Sequence, residues 1–297
     1  GLVVEMVKEE AGLKKHKSPW VIIFNRFTGN KMGVIGTVLI LCLLFVAIFA
    51  PLLEPYSYQG QNIDNMNSPP SLTHFLGTDD FGRDVLSRII RGARISFVVG
   101  VLSVLISVVI GVIVGSIAGF YGGIVDIVLT TIADLTWSMP AILIALLIVA
   151  VTGAGLESVV LAIGLSYWAQ YARLIRGQIL SLKSAVFIEA TRSLGASDFV
   201  LLFKHLIPNS LSPVIVAATI GIGHAIVLEA TLGFLGMGAQ PPTPSWGAMM
   251  SNGTAYLFIA PWMIIFPGLA MMITVLGFNL FGDALIDVMD IKNKDSI

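Results

Sequence analysis

The chain has 297 residues, 56% of them hydrophobic and 12% charged, with a mean hydropathy of +0.90 and a formal net charge of -1. A soluble domain carries about a quarter charged residues, and here the apolar residues run in long unbroken blocks, so a soluble fold is excluded in favour of a membrane protein. The near-neutral charge excludes a basic field for nucleic acid, and the single cysteine, Cys42, excludes an internal disulfide or a cysteine-based metal cluster.

In chain order, residues 1–31 form a charged segment, too rich in lysine for a cleavable signal peptide. The first apolar span is 32–53. Residues 54–94, rich in Pro, Asn, Ser and Asp, contain loop. Towards their end Arg83, Arg88, Arg91 and Arg94 recur near one helical turn and interleave with Ile89, Ile90 and Ile95, which predicts an interfacial amphipathic helix. Binding of lipid phosphates by these arginines is the competing account. The second span, 95–120, carries Gly111, Gly115 and Gly119 at G-x-x-x-G spacing, a small face suited to close packing inside the bundle.

The third span, 124–151, is interrupted at Met139-Pro140, where a proline permits a kink. The fourth, 156–176, is the least apolar, being flanked by Glu157 and containing Gln170. A polar segment at 177–210 separates it from the fifth span, 211–235. The loop 236–260 is stiffened by Pro241, Pro242 and Pro244, and Trp246 suits a membrane interface. The sixth span is 261–286, and 287–297 form a tail. Lipid forces such spans to be helices, so the expected fold is all-α, with six transmembrane helices and a core of five between 95 and 286.

Basic residues orient the chain. With both termini in the cytoplasm, residues 1–31, the 177–210 loop with its flanking Arg173 and Arg176, and the tail place thirteen Lys and Arg inside. The four arginines between spans one and two lie outside, beside Asp79, Asp80 and Asp84.

The 177–210 loop reads as helix, turn, helix. Phe187, Ala190, Thr191 and Leu194 recur at i, i+3, i+4, i+7, and Gly195 follows as a left-handed cap would. Ser197 or Asp198 then caps a second helix carrying Phe199, Leu202, Phe203 and Leu206, which Pro208 closes. The first helix either packs under its own bundle or plugs a groove in a partner, with Glu189 offering a charge and Ala190 a close approach.

These residues resemble the EAA loop of ABC-importer permeases. That pattern is Glu-Ala-Ala, three residues, Gly, nine residues, then Ile-x-Leu-Pro; this chain reads Glu189-Ala190-Thr191, Gly195, then His205-Leu206-Ile207-Pro208. Thr191, His205 and Ile207 depart mildly from it. The stretches 74–97, 234–250 and 261–290 resemble the peptide and nickel permease group, nearest to its C-type membrane subunit. The resemblance implies a type I importer permease in a bacterial or archaeal cytoplasmic membrane, with 187–195 as a coupling helix. Glu189, Ala190, Thr191, Leu194, Gly195 and Pro208 would then form the contact with an ATPase. It implies a second homologous permease (a heterodimer), two ATPase subunits carrying ATP and Mg, and an extracytoplasmic substrate-binding protein received by the outer surface, including Arg83, Arg88, Pro242 and Trp246. Peptides are the implied cargo, with nickel chelates or glutathione-like compounds as alternatives.

The chain has no G-x-x-x-x-G-K-[ST] loop to hold nucleotide phosphates, so it is expected to bind no cofactor and to perform no catalysis. Asp134, His224 and Glu229 lie inside spans, where ionisable groups line a pathway or bond between helices. His224 and Glu229, five residues apart, do not share a helix face, which argues against a metal site. Two other classes compete. An intramembrane protease could pair Asp134 with Asp283, but Leu280-Phe281-Gly282-Asp283 lacks the Gly-x-Gly-Asp signature and H-E-x-x-H is absent. An ion-driven secondary transporter would require internal repeats, and none is evident.

Overall fold

The computed structural model describes residues 25–294, and these form helices joined by loops. Helix α1 (Lys31–Leu53) starts at Asn30, whose side-chain carbonyl accepts the Met32 and Gly33 amides. Helix α2 (Val85–Tyr121) is capped by the Asp84 carboxylate on the Ser87 amide. At 37 residues it is about 55 Å long. It begins ten residues before the expected second span. The arginine-bearing segment is therefore the first turns of the span and not a separate interfacial helix, because nothing between 85 and 121 stops the helix before Gly122, at φ 68°.

Helices α3 (Gly123–Ser138) and α4 (Ala141–Thr152) are bent by 93° at Met139-Pro140. The expected kink in span three is thus a full break. Helix α5 (Leu156–Lys183) outruns the expected 156–176. Among the described residues, four helices are long and apolar enough to cross a membrane, and the bent pair makes a fifth. Helix α5 is long enough but carries Glu157, Arg173, Arg176 and Lys183; it buries Ile163, Tyr171, Ile175 and Ile179 against its neighbours. The least apolar span is shielded by other helices.

The 111–115–119 glycine face is the seam between α2 and α5. A methyl group on Gly115 would sit 2.1 Å from the Ala172 carbonyl oxygen, and one on Gly111 2.8 Å from that of Trp168. The Ser107 hydroxyl donates to the Gly164 carbonyl across the same seam (2.7 Å). The small face therefore serves packing within the bundle.

After α5 come α6 (Val186–Ser193) and α7 (Asp198–Val200). Helix α7 runs through a π-helical segment at Leu201–Leu206 directly into α8 (Ile207–Phe234). The expectation that Pro208 closes a second short helix is wrong, and the helix that carries span five begins well before 211. Pro208 lies in the first turn of α8 inside one continuous helix from Asp198 to Phe234. The wider turns, in which the Ile207 amide reaches the Leu202 carbonyl, accommodate a residue with no N–H to donate. Helices α9 (Trp246–Gly253) and α10 (Trp262–Lys294) complete the chain.

Two apolar clusters hold the helices together. One joins α2, α5 and α8 through Val104, Ile163, Tyr171, Ile175 and Leu232. The other gathers Leu43, Val85, Ile226, Trp246 and Phe278 from α1, α2, α8, α9 and α10.

Candidate functional site

The α5–α8 connection builds a projecting knob. Gly195 has φ +87°, its amide donates to the Arg192 carbonyl (3.0 Å), and the Ala196 amide donates to that of Thr191 (3.3 Å). This is a complete Schellman cap, as the position of Gly195 predicts. Ser197 caps the next helix on the Val200 amide. The stripe of Phe187, Ala190 and Leu194 points outward; Leu194 is 89% exposed, Glu189 is exposed, and Thr191 is half-buried. Packing of this stripe under its own bundle is thereby excluded.

The side chain that fastens the knob is Ile188, 1% exposed, in the cluster with Leu201, Leu202 and Leu206. The stripe reading missed Ile188 because it lies out of phase with that stripe. The second predicted stripe splits: Leu202 and Leu206 are buried, whereas Phe199 and Phe203 stack at 4.6 Å on the exposed side. An eight-residue helix thus offers apolar surface and a carboxylate to a partner while one isoleucine ties it to the base of α8.

The segment 54–84 is organised by Asp79. Its Oδ1 accepts the Phe81 and Arg83 amides at 2.9 Å, and its Oδ2 accepts Arg83 Nε at 2.6 Å and lies 3.5 Å from Arg88 Nε. Arg88 also donates to the Tyr58 carbonyl (3.1 Å). Arg91 pairs with Glu54 at 2.6 Å. Burial and the neighbouring Asp79 hold the Asp80 carboxyl above its usual range. Arg83 and Arg88 are therefore buried structural groups, 8% and 5% exposed. They line a cleft of about 520 Å³, shared with Gln240 and the exposed Pro242. Trp246 does not meet an interface: its indole is buried over Gly92 and donates to the Ile89 carbonyl (3.1 Å).

The intramembrane polar groups separate. Glu229 is fully buried in α8 and accepts the Ser96 hydroxyl of α2 at 2.9 Å. His224 is exposed on another face of α8, so the two are not brought together. Asp134 of α3 pairs with Arg173 of α5 at 2.5 Å, and both are about half exposed. A second pair, Asp126–Arg176 at 2.6 Å, ties the same two helices. The charge count treats Arg176 as a cytoplasmic flank.

The family model for "Binding-protein-dependent transport system inner membrane component" matches residues 111–294. That for "N-terminal TM domain of oligopeptide transport permease C" matches 18–70. The dipeptide transport system permease protein DppC of Alkalihalophilus pseudofirmus is 43% identical over 277 residues, 93% of this chain and 91% of that protein. The glutathione transport system permease protein GsiD of Escherichia coli is 43% identical over 279 residues, 94% of this chain and 92% of that protein. Among solved structures, an inward-facing form of the MetNI methionine ABC transporter superposes with a TM-score of 0.55 at 21% identity, covering 68% of this chain and 97% of the other. The chain belongs to the family of binding-protein-dependent transport system inner membrane components, the permeases of ABC importers, and has the type I importer fold.

Proposed function

We propose that the chain is one half of the translocation pathway for small peptides, driven by ATPase subunits that grip the α6 knob. The observation that carries the cargo is the 43% identity to a dipeptide permease along 93% of the chain. Glutathione, itself a tripeptide, is the second reading, favoured by equal identity to a glutathione permease. Nickel chelates have no comparable support. In this reading a second permease supplies the facing wall, and an extracytoplasmic binding protein delivers cargo to the outer surface around the cleft floored by Arg83 and Arg88. Both termini and the knob are cytoplasmic, and the bound ATP and Mg belong to the ATPases.

The mechanism follows from the connection between knob and span. Closure of the ATPase pair pushes on Phe187, Ala190 and Leu194. Ile188 passes that push to Leu201, Leu202 and Leu206, which lie on the same continuous helix as the membrane span. The helix runs 37 residues, about 55 Å, so a tilt at its cytoplasmic end becomes a movement of the whole span. The two permeases then rock about a central site and expose it to each side in turn.

The experiment is a native purification through a carboxyl-terminal tag, paired with uptake of labelled dipeptide and glutathione. A second permease and ATPases should copurify. Glu189→Lys with Gly195→Val should lose the ATPases and keep the other permease. Recovery of the chain alone in several mild detergents would overturn the complex. Glutathione uptake without dipeptide uptake would select the second reading.

A further inference from the structure

We propose that the outer groove between α2 and α5 is a binding site for an amine-headed glycerophospholipid of the phosphatidylethanolamine type. The groove encloses about 500 Å³ and is lined by Ile95, Val98, Leu102 and Leu161, with Arg94 and Glu157 as its only charged residues. The two helices run parallel: Gly164 meets Ile106, and further along Gly119 meets Ile179. In that register Arg94 stands about one helical turn, about 5 Å, beyond the level of Glu157, both at the end of the groove nearer the amino termini of the two helices, and the apolar wall extends from there into the bilayer.

The other three arginines of this region are consumed inside the protein, Arg83 and Arg88 by Asp79 and Arg91 by Glu54. Arg94 is exposed, and among the described residues it makes no ion pair; the same holds for Glu157. An occupant must therefore cover an apolar wall and present both signs at one end. An acyl chain covers the wall, a phosphate accepts from the Arg94 fork, and a primary ammonium donates to Glu157.

A phosphatidylglycerol headgroup offers Glu157 only neutral hydroxyl donors in place of a cation. A phosphatidylcholine ammonium has no N–H to donate.

The test uses the full chain with its copurifying subunits, exchanged into bilayer discs of equal phosphatidylethanolamine, phosphatidylcholine and phosphatidylglycerol. Bound lipids are then counted by native mass spectrometry. The wild type should retain phosphatidylethanolamine over each of the others by about tenfold, the scale of one charge-assisted hydrogen bond. Arg94→Ala should lower its retention about tenfold. Glu157→Gln should keep a lipid but erase the preference over phosphatidylcholine. Leu102→Trp should fill the groove and displace the lipid while both charges remain, with an unchanged melting temperature as the control for folding.

Equal retention of the three lipids, or a preference that survives all three variants, would overturn the assignment. So would crosslinking of Leu102→Cys, in a Cys42→Ser background, to a partner polypeptide. None of these outcomes depends on which cargo is carried.

Discussion

At the residue scale, Gly195 separates backbone strain from packing. It sits at φ +87° with open space around it, so a side chain there meets no atom and acts only through the conformation it disfavours. Gly195→Val should cost about 1–2 kcal/mol at the cap and re-aim Leu194. In proteoliposomes the expected result is ATP hydrolysis that continues while uptake collapses. Uptake at the wild-type ratio to hydrolysis would refute a rigid knob.

Asp79 and Asp80 give a second contrast. Arg83→Ala would remove the nearest cation from the buried Asp79 carboxylate, which keeps Arg88 and two backbone amides, and should cost about 1–3 kcal/mol, visible as a lower melting temperature. Asp80 behaves oppositely. Its folded pKa is raised, so the folded state disfavours its charge, and stability falls as pH rises through the ordinary carboxylate range. Asp80→Asn should therefore be neutral or stabilising at neutral pH and flatten that part of the pH–stability curve.

At the element scale, the α2–α5 seam and the α7–α8 junction are the sensitive places. Gly115→Ala drives a methyl into the Ala172 carbonyl and should separate the two helices, at about 1–3 kcal/mol or more. Gly177→Ala, within α5 and facing nothing within 4 Å, should instead stabilise by up to about 1 kcal/mol. Thermal unfolding of the two variants side by side tests whether the glycine face is a packing seam. At the junction, one alanine inserted after Lys204 would turn the knob by about 100° relative to α8. Insertion into the membrane should survive and uptake should not; unimpaired uptake would mean that α7 and α8 do not move as one piece.

At the scale of the whole molecule, much apolar surface remains uncovered. Of α3 only Ala133 is buried, and Leu135, Trp137, Leu143 and Leu147 face outward. Such surface suits lipid or a second permease. The half-exposed Asp134–Arg173 pair suits neither hydrocarbon nor a dry contact, since an unshielded charge in lipid is costly. We place this pair against water or a polar partner surface. Swapping it to Asp134→Arg with Arg173→Asp should preserve the α3–α5 attachment, and a loss of uptake despite normal complex recovery would assign it to the pathway.

What the amino-acid order determined by itself is what rests on local chemistry. Apolar runs required membrane helices, the spacing of Glu189, Gly195 and Pro208 marked the loop proposed to couple to the ATPases, and a glycine after a helical stripe specified a left-handed cap. Tertiary structure decided whatever depends on what an element packs against. Ile188, and not the regular stripe, is the buried face of α6, because the base of α8 lies on that side. Pro208 does not end a helix, because a π segment absorbs its missing donor. Arg88 and Trp246 read as surface groups, yet are interior, because Tyr58 and Gly92 come from elsewhere in the chain to receive them, while Arg83 is drawn in by its near neighbour Asp79. Periodicity reports that a face exists; only the neighbours decide whether it looks inward or out.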